Sequence, residues 1–127
     1  MADLRLQRLD HVSLNVVDRA RSIAWYRDVL GLEQQGSAGA DDEPVFVGAF
    51  GACLGLFQAQ SAASGRDYES AGLRHIAFML GGDDLGRAQA HLREHGIEFR
   101  FEDHGSAHSV YLSDPDGNVI ELTTYEV

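Results

Sequence analysis

The chain has 127 residues, a size typical of one domain with its own hydrophobic core. Hydrophobic residues make up 44% of the sequence, which indicates a folded globular protein rather than a disordered one. Acidic residues outnumber basic ones by 20 to 10, and the formal net charge is −10. A charge of this sign repels phosphate backbones and anionic lipids, so we expect no nucleic-acid partner and no membrane partner.

Cysteine content and hydropathy indicate the compartment. Cys53 is the single cysteine, so the chain has no partner for an intrachain disulfide, as is usual in a reducing environment. The first residues, MADLRLQRLD, lack the apolar stretch of a signal peptide. No apolar run approaches the length that crosses a bilayer. The sequence therefore predicts a cytoplasmic protein.

The first half of the chain predicts a strand, a helix and further strands. In LDHVSLNVVD apolar residues alternate with polar ones that include His11, which predicts a strand. Asp18 is a suitable N-cap for a helix over RARSIAWYRDVL, and Gly31 is a suitable residue to end it. The apolar positions of this helix are Ala20, Ile23, Leu30 and either Trp25 or Tyr26. Leu32 and Glu33 begin another extended stretch, and PVFVGAF and ACLGLFQA predict two more strands.

The second half repeats this order. LRHIAFML predicts a strand with His75 near its start, and GGDDLGRAQAHLREHG predicts a helix that Gly96 ends. IEFRFED and SVYLSD predict two strands. An Asp-Pro-Asp-Gly turn then leads into NVIELTTYEV, where Glu121 faces away from its apolar neighbours Ile120 and Leu122.

Equivalent positions of the two halves lie 64 to 66 residues apart: His11 and His75, Gly31 and Gly96, Gly51 and Gly117. The chain is therefore read as two tandem βαβββ modules, over residues 8–58 and 72–126, with residues 59–71 as a linker. Modules of about 50 residues are too small to bury much surface alone. We therefore expect an α+β fold in which both modules pack as a single domain, residues 1–127.

Three metal-ligand residue types occupy related places in this repeat. His11 and His75 lie near the start of the first strand of each module, and Glu121 lies on the last strand of the second. A single strand histidine is more often a surface or core residue, and a single strand glutamate is usually solvated. Two imidazoles and one carboxylate are, however, the ligands of a facial metal triad. If the two sheets face each other, with the helices outside, the three side chains converge on a metal site.

The sequence resembles the vicinal oxygen chelate superfamily, also called the glyoxalase, bleomycin-resistance and dioxygenase superfamily. LDHVSLNVVD, WYRDVLGLE, LRHIAF and YLSDPDGNVIEL carry the resemblance, which covers nearly the whole chain. It implies a divalent metal held at His11, His75 and Glu121, a small substrate that chelates through adjacent oxygens, and a homodimer. Fe(II) is the favoured metal, and Mn(II), Ni(II) and Zn(II) also suit these ligands.

Within the superfamily the C-terminal stretch is most similar to extradiol dioxygenases, which cleave catechol rings with ferrous iron. Those enzymes carry a tyrosine ten residues before the glutamate ligand, and Tyr111 occupies that place. The resemblance implies that Tyr111 contacts a substrate oxygen and that His104 orients substrate or carries a proton. His108 is an alternative to His104. The extradiol enzymes also have a second histidine before the His75 position, whereas this chain has no histidine between His11 and His75.

Three other members of the superfamily remain alternatives. A glyoxalase-like isomerase or lyase needs a fourth ligand, and the repeat places Gly55, which has no side chain, at that position. A fosfomycin-type thiol transferase needs a cluster of basic residues, and this sequence has no lysine. A bleomycin-type protein sequesters a drug without catalysis and generally lacks the three metal ligands.

Overall fold

The computed structural model describes residues 3–36, 44–49, 51–62 and 67–127, which contain two α-helices and seven β-strands. The chain divides into two compact units, Met1–Gln60 and Ser61–Val127. The α+β class predicted from the sequence is confirmed. Whether the two modules pack as one domain stays a prediction. Neither helix in the described ranges combines the length and the apolarity needed to cross a membrane.

The first unit contains one helix and a three-stranded sheet. Its elements are β1 (Val12–Val16), α1 (Arg19–Leu30), β2 (Val45–Ala49) and β3 (Ala52–Gln58). The order in the sheet is β1-β3-β2, with β1 parallel and β2 antiparallel to β3. The extended stretch predicted after α1 is reduced to a single bridge between Gln34 and Val47. In the described residues of the first module, the elements thus follow the predicted order, and the predicted second strand is shorter than expected.

The ends of α1 confirm the predicted caps. The Asp18 carboxylate accepts a hydrogen bond from the Arg21 amide at 3.1 Å, and Gly31 adopts a left-handed conformation with φ 69°. The predicted apolar face is partly wrong, because Ala20 is exposed. Of the two predicted alternatives, Tyr26 is buried, and the helix also buries Arg19, Ser22 and Val29.

Contacts at the start of α1 explain why its buried face is rotated from the predicted one. The Gln58 side-chain oxygen accepts from the Arg19 amide at 3.1 Å, and its nitrogen donates to the Val17 carbonyl at 2.6 Å. The helix therefore begins against the end of β3. This anchor fixes which residues point inward, and the apolar pattern of the sequence does not encode it.

The second unit has the full βαβββ order. Its elements are β4 (Ile76–Met79), α2 (Gly82–Glu94), β5 (Arg100–Asp103), β6 (His108–Ser113) and β7 (Val119–Thr124). The sheet order is β4-β7-β6-β5, in which β4 and β7 are parallel and the other pairs are antiparallel. Strand β7, which carries Glu121, is therefore flanked by β4 on one side and β6 on the other.

The strand register separates an apolar face from a polar one. Val110 pairs with Leu122 and Leu112 pairs with Ile120, and all four side chains are buried. Because side chains alternate between the two faces of a strand, Tyr111 and Glu121 lie on the opposite face of the same strands, where they are directly paired. Helix α2 packs on β6 and β7 with Leu85 and Leu92 buried.

The Asp-Pro-Asp-Gly turn sets this register. The buried Asp114 carboxylate accepts from the Asp116 amide at 2.9 Å, from the Asn118 amide at 2.8 Å and from the Asn118 side-chain amide at 2.7 Å. Gly117 supplies the positive φ, 83°, that the turn requires. Because the turn joins β6 to β7, its geometry decides that Glu121 lies opposite Tyr111.

Replacement of Asp114 by alanine is expected to destabilise the protein by about 2 kcal/mol, because the buried Asn118 amide loses its acceptor. Asp114→Asn keeps one carbonyl oxygen and is expected to cost about half as much. Urea unfolding measures both. A loss below about 0.5 kcal/mol for the alanine variant would show that the carboxylate does not hold the turn.

Candidate functional site

Two of the predicted metal ligands meet in the second unit. His75 directly precedes β4, and β4 runs beside β7 so that Ala77 pairs with Glu121. The His75 Nε2 atom lies 3.1 Å from the Glu121 Oε2 atom. Both side chains are largely protected, with 29% of His75 and 12% of Glu121 exposed. The parallel pairing of two strands thus brings together residues that are 46 positions apart in the sequence.

Both predicted catalytic residues adjoin this pair. The Tyr111 hydroxyl donates to Glu121 Oε1 at 2.8 Å, and the Tyr111 ring meets the His75 ring edge-on with centroids 5.8 Å apart. His104, in the loop after β5, places its Nε2 atom 3.1 Å from the same hydroxyl. His75, Glu121, Tyr111 and His104 therefore form one continuous series of polar contacts.

Tyr111 is a neutral hydrogen-bond donor in this setting. Burial raises the pKa of Tyr111 to about 12, and the hydrogen bond to the Glu121 carboxylate adds to the effect. The phenol therefore keeps its proton at neutral pH. It can stabilise charge on an oxygen placed beside it without ionising itself.

The other histidines of the second unit lie elsewhere. His108 is 3.4 Å from the Asp103 carboxylate and packs against Phe101, so it does not take the place of His104 beside Tyr111. His91 and His95 lie at the end of α2, with His95 Nδ1 3.0 Å from the His91 carbonyl oxygen. Of the two alternatives left open by the sequence, the geometry favours His104.

Tyr68 is a site residue that sequence reasoning missed. Its hydroxyl lies 3.0 Å from His75 Nδ1, the ring nitrogen opposite to the one that faces Glu121. Tyr68 belongs to the predicted linker, where no periodic pattern gives a side chain a direction. Nothing in the sequence signalled this contact.

His11 lies in the first unit and is exposed. Its Nδ1 atom is 2.8 Å from Asp10 Oδ2, and its ring meets Phe46 edge-on with centroids 5.1 Å apart. The hydrogen bond with His11 is the main reason that the pKa of Asp10 is lowered, and the charges of His11 and Arg8 add to it. Whether His11 joins His75 and Glu121 at one metal stays a prediction.

The first unit offers no counterpart to Glu121. Gly55 pairs with Ser13 as Glu121 pairs with Ala77, so the two positions are equivalent in their sheets. A Cβ atom at Gly55 would lie 2.9 Å from Ser13 Oγ and 3.2 Å from Phe46 Cε1. Phe46 therefore fills the space that a fourth ligand would need.

A cavity of about 270 Å³ adjoins Tyr111 in the second unit. Its walls include Tyr68, Arg100, Tyr111, Ser113 and Val119. Because Arg100 pairs with Tyr111 and Ser113 pairs with Val119, these side chains share the sheet face that carries Glu121. A small molecule held there would contact the Tyr111 side chain.

The donor set fits a divalent metal ion. In the part of the chain that the structure describes, no three histidine, cysteine, aspartate or glutamate side chains form a group that could hold a metal. His75 and Glu121 nevertheless present one imidazole nitrogen and one carboxylate oxygen to each other. Tyr68 contacts the remaining nitrogen and Tyr111 the remaining oxygen, as partners around metal ligands do.

A family model of the Glyoxalase/Bleomycin resistance protein/Dioxygenase superfamily matches residues 8–122. The chain belongs to this superfamily. A solved glyoxalase/dioxygenase from Nostoc punctiforme superposes with a TM-score of 0.81 over 98% of this chain and 95% of its own, at 24% identity. The resemblance inferred from the sequence is confirmed, and so is the superfamily fold.

Relatives within the superfamily have different names. The catechol-2,3-dioxygenase of Bacillus subtilis (strain 168) is 33% identical over 90% of this chain, which spans 40% of that protein's length. The glutathione transferase FosA of Serratia marcescens is 27% identical over 92% of this chain and 80% of its own. By their names, these two relatives are a dioxygenase and a transferase.

Cys53 lines a separate cavity in the first unit, of about 320 Å³. Burial, followed by the charge of Asp10, raises the pKa of the Cys53 thiol. The thiolate fraction at pH 8 is therefore lower than that of a free cysteine, whose pKa is about 8.5. We expect iodoacetamide to alkylate Cys53 of the folded protein at pH 8 more slowly than the cysteine of a blocked peptide, whose thiol has the ordinary pKa.

The urea-unfolded protein provides the control for this experiment, since unfolding removes the burial and should restore the rate of a free thiol. Mass spectrometry measures both rates. A folded protein that reacts as fast as the blocked cysteine peptide would contradict the inferred shift.

Proposed function

We propose that this chain is a divalent-metal-dependent enzyme whose substrate binds through two adjacent oxygens. His75 and Glu121 are the proposed metal ligands in the second unit, and His11 is the proposed third ligand. Tyr111 and His104 are the proposed catalytic residues. The observation that carries the proposal is the continuous contact from His75 through Glu121 and Tyr111 to His104.

The metal and the side chains have separate tasks. When bound, the metal supplies Lewis-acid polarisation of the substrate oxygens and, if it is iron, reactivity toward dioxygen. His75 and Glu121 hold it with nitrogen and oxygen donors that suit Fe(II), Mn(II), Ni(II) or Zn(II). The Tyr111 hydroxyl, which donates to Glu121 in this structure, would lower the energy of negative charge on a substrate oxygen by turning its hydrogen to that oxygen.

Tyr111 and His104 are also suited to moving a proton. If the Tyr111 hydroxyl turns its hydrogen from Glu121 to His104 Nε2, 3.1 Å away, its oxygen can accept a proton from a substrate hydroxyl while its own proton passes to that nitrogen. The phenol is neutral before and after this relay. The Glu102 Oε2 atom lies 3.7 Å from His104 Nε2, so a carboxylate stands beside the nitrogen that would receive the proton.

The proposed reaction is extradiol cleavage of a catechol-type ring, in which both atoms of dioxygen enter the product. Support comes from the contact of Tyr111 with both Glu121 and His104, the residues to which the resemblance gives roles in the site. The name of the Bacillus subtilis relative points the same way, although this chain spans 40% of its length. The proposal of ring cleavage therefore rests on the geometry of the site together with the similarity to this relative.

The alternative reactions have weaker support. Gly55 and the packing of Phe46 leave no room for the fourth ligand of a glyoxalase-like isomerase or lyase. The similarity to FosA supports a thiol transferase, but this sequence has no lysine for the basic cluster that such an enzyme needs. A drug-sequestering protein would have no use for the His75–Glu121 pair.

Anaerobic purification, Fe(II) reconstitution and a panel of catechols in an oxygen electrode test the reaction. Oxygen uptake with a matching yellow ring-cleavage product is expected. Metal binding without oxygen uptake would favour an isomerase, lyase or transferase. Equal binding of an organic ligand before and after chelator treatment, without turnover, would instead favour a sequestering protein.

His75→Ala is expected to weaken metal binding more than about 100-fold, since a ligand matters more than the groups around it. His95→Ala, at the C-terminal end of α2, is the matched control and should bind like the wild type. Competition with a chromophoric chelator measures both affinities. Equal affinity in the His75 variant would remove this residue from the ligand set.

Tyr111→Phe is expected to keep the bound metal and lower kcat about 100-fold, because a single donor to developing negative charge is lost. Steady-state kinetics and elemental analysis on the same sample separate these effects. Unchanged kcat would remove Tyr111 from the mechanism.

We also propose a homodimer, as the resemblance implies, and a cytoplasmic location, which the single cysteine favours. Light scattering coupled to size-exclusion chromatography should give twice the 13.9 kDa chain mass. A mass of one chain across a range of protein concentrations would contradict the dimer.

A further inference from the structure

Tyr68 is presented by a short turn with its own hydrogen bonds. The Asp67 carboxylate accepts from the Glu69 amide at 3.0 Å and from the Ser70 hydroxyl at 2.8 Å. The Ser70 amide also donates to the Asp67 carbonyl oxygen at 3.1 Å. The backbone on both sides of Tyr68 is thereby fixed, although the turn lies at the surface.

The Tyr68 ring is held from a second direction. The Arg74 guanidinium carbon lies 4.2 Å from the ring centroid, and an Arg74 nitrogen donates to the Tyr68 carbonyl oxygen at 3.5 Å. Arg74 also pairs with Glu69 at 3.7 Å. Because Arg74 directly precedes His75, two successive residues of the chain contact the same tyrosine.

The Tyr68 hydroxyl and Glu121 together engage both nitrogens of the His75 ring. The hydroxyl is 3.0 Å from Nδ1, and the Glu121 carboxylate is 3.1 Å from Nε2. We propose that Tyr68 is a positioning residue that holds the His75 ring with Nε2 directed at the metal site. This inference rests on the proposed function, in which His75 is a metal ligand.

A hydroxyl suits this position because it can both donate and accept a hydrogen bond. In the tautomer that carries the His75 proton on Nε2, the Glu121 carboxylate accepts that proton and the Tyr68 hydroxyl donates to the lone pair of Nδ1. When Nε2 gives its lone pair to a metal, the ring carries its proton on Nδ1 and donates to the Tyr68 oxygen. The ring loses one proton to water and gains one from water, so its charge does not change.

The Asp10 carboxylate beside His11 differs in this respect from the Tyr68 hydroxyl beside His75. This carboxylate, 2.8 Å from His11 Nδ1, can only accept, so it favours the tautomer with the proton on Nδ1 in either state. Tyr68 supports both tautomers of His75. The phenol therefore keeps His75 oriented without opposing the hydrogen bond to Glu121 in the metal-free protein.

Tyr68→Phe isolates the hydroxyl group, because the variant keeps the ring that packs under Arg74 and lines the cavity beside Tyr111. The matched control is Tyr125→Phe, which makes the same chemical change on a side chain that is 67% exposed. Zn(II) is the metal probe, since it is redox-inactive and diamagnetic. Competition with a chromophoric chelator gives the affinities.

Tyr68→Phe is expected to weaken Zn(II) binding about 10- to 100-fold with an unchanged melting temperature of the metal-free protein. The Tyr125→Phe control should match the wild type within about twofold. Equal Zn(II) affinity in the wild type and in Tyr68→Phe would overturn the inference.

Nitrogen-15 NMR of the imidazole side chains, at about two pH units above the ordinary histidine pKa of about 6.5, supplies a second readout. His75 is expected to carry its proton on Nε2 in the metal-free wild type and on Nδ1 with Zn(II). In Zn(II)-loaded Tyr68→Phe the Nδ1 proton should exchange faster with water. A His75 Nδ1 proton that exchanges equally in both proteins would overturn the role of the hydroxyl.

The two readouts separate this inference from the proposed function. If Zn(II) leaves the His75 nitrogen shifts of the wild type unchanged, His75 is not a ligand, and the proposed function fails along with the metal-directed role of Tyr68. If Zn(II) moves those shifts and Tyr68→Phe binds as tightly as the wild type, only the inference about Tyr68 fails.

Discussion

The register between β6 and β7 is the constraint on which the site depends. It pairs Tyr111 with Glu121 and, through alternation, places Val110, Leu112 and Leu122 on the buried apolar face. A slip of one residue would exchange the two faces and bury the carboxylate among apolar side chains. The Asp114 turn opposes that slip because its hydrogen bonds fix the loop length. The chemistry of the site is thus decided by a turn that contributes no catalytic group.

The two units have the same strand arrangement but differ at the position that Gly55 occupies in one and Glu121 in the other. In each, the first strand runs parallel to the last, which pairs Gly55 with Ser13 in one sheet and Glu121 with Ala77 in the other. Phe46 fills the first location, whereas the second unit keeps a carboxylate with hydrogen-bonded neighbours. A duplicated module can therefore retain its fold while a single position loses or keeps a carboxylate.

The sequence predicted those features that follow from periodicity and from caps. The α+β class, the caps of α1 at Asp18 and Gly31, and the face of Glu121 all depend on local patterns, and the structure confirms them. The rotated face of α1 and the contact of Tyr68 were not predictable, because each depends on a hydrogen bond between distant or aperiodic segments. The meeting of His75 and Glu121 was predictable only through the repeat and the resemblance.

The proposed metal site is tested most directly by anomalous diffraction from crystals grown with Mn(II) or Zn(II), recorded at the absorption edge of the metal. We expect one strong peak within bonding distance of His75 Nε2 and a Glu121 carboxylate oxygen, at about 2.0 to 2.2 Å for zinc. We also expect a His11 nitrogen as the third protein ligand. A peak elsewhere, or no peak at His75 and Glu121 at saturating metal, would contradict the proposed site.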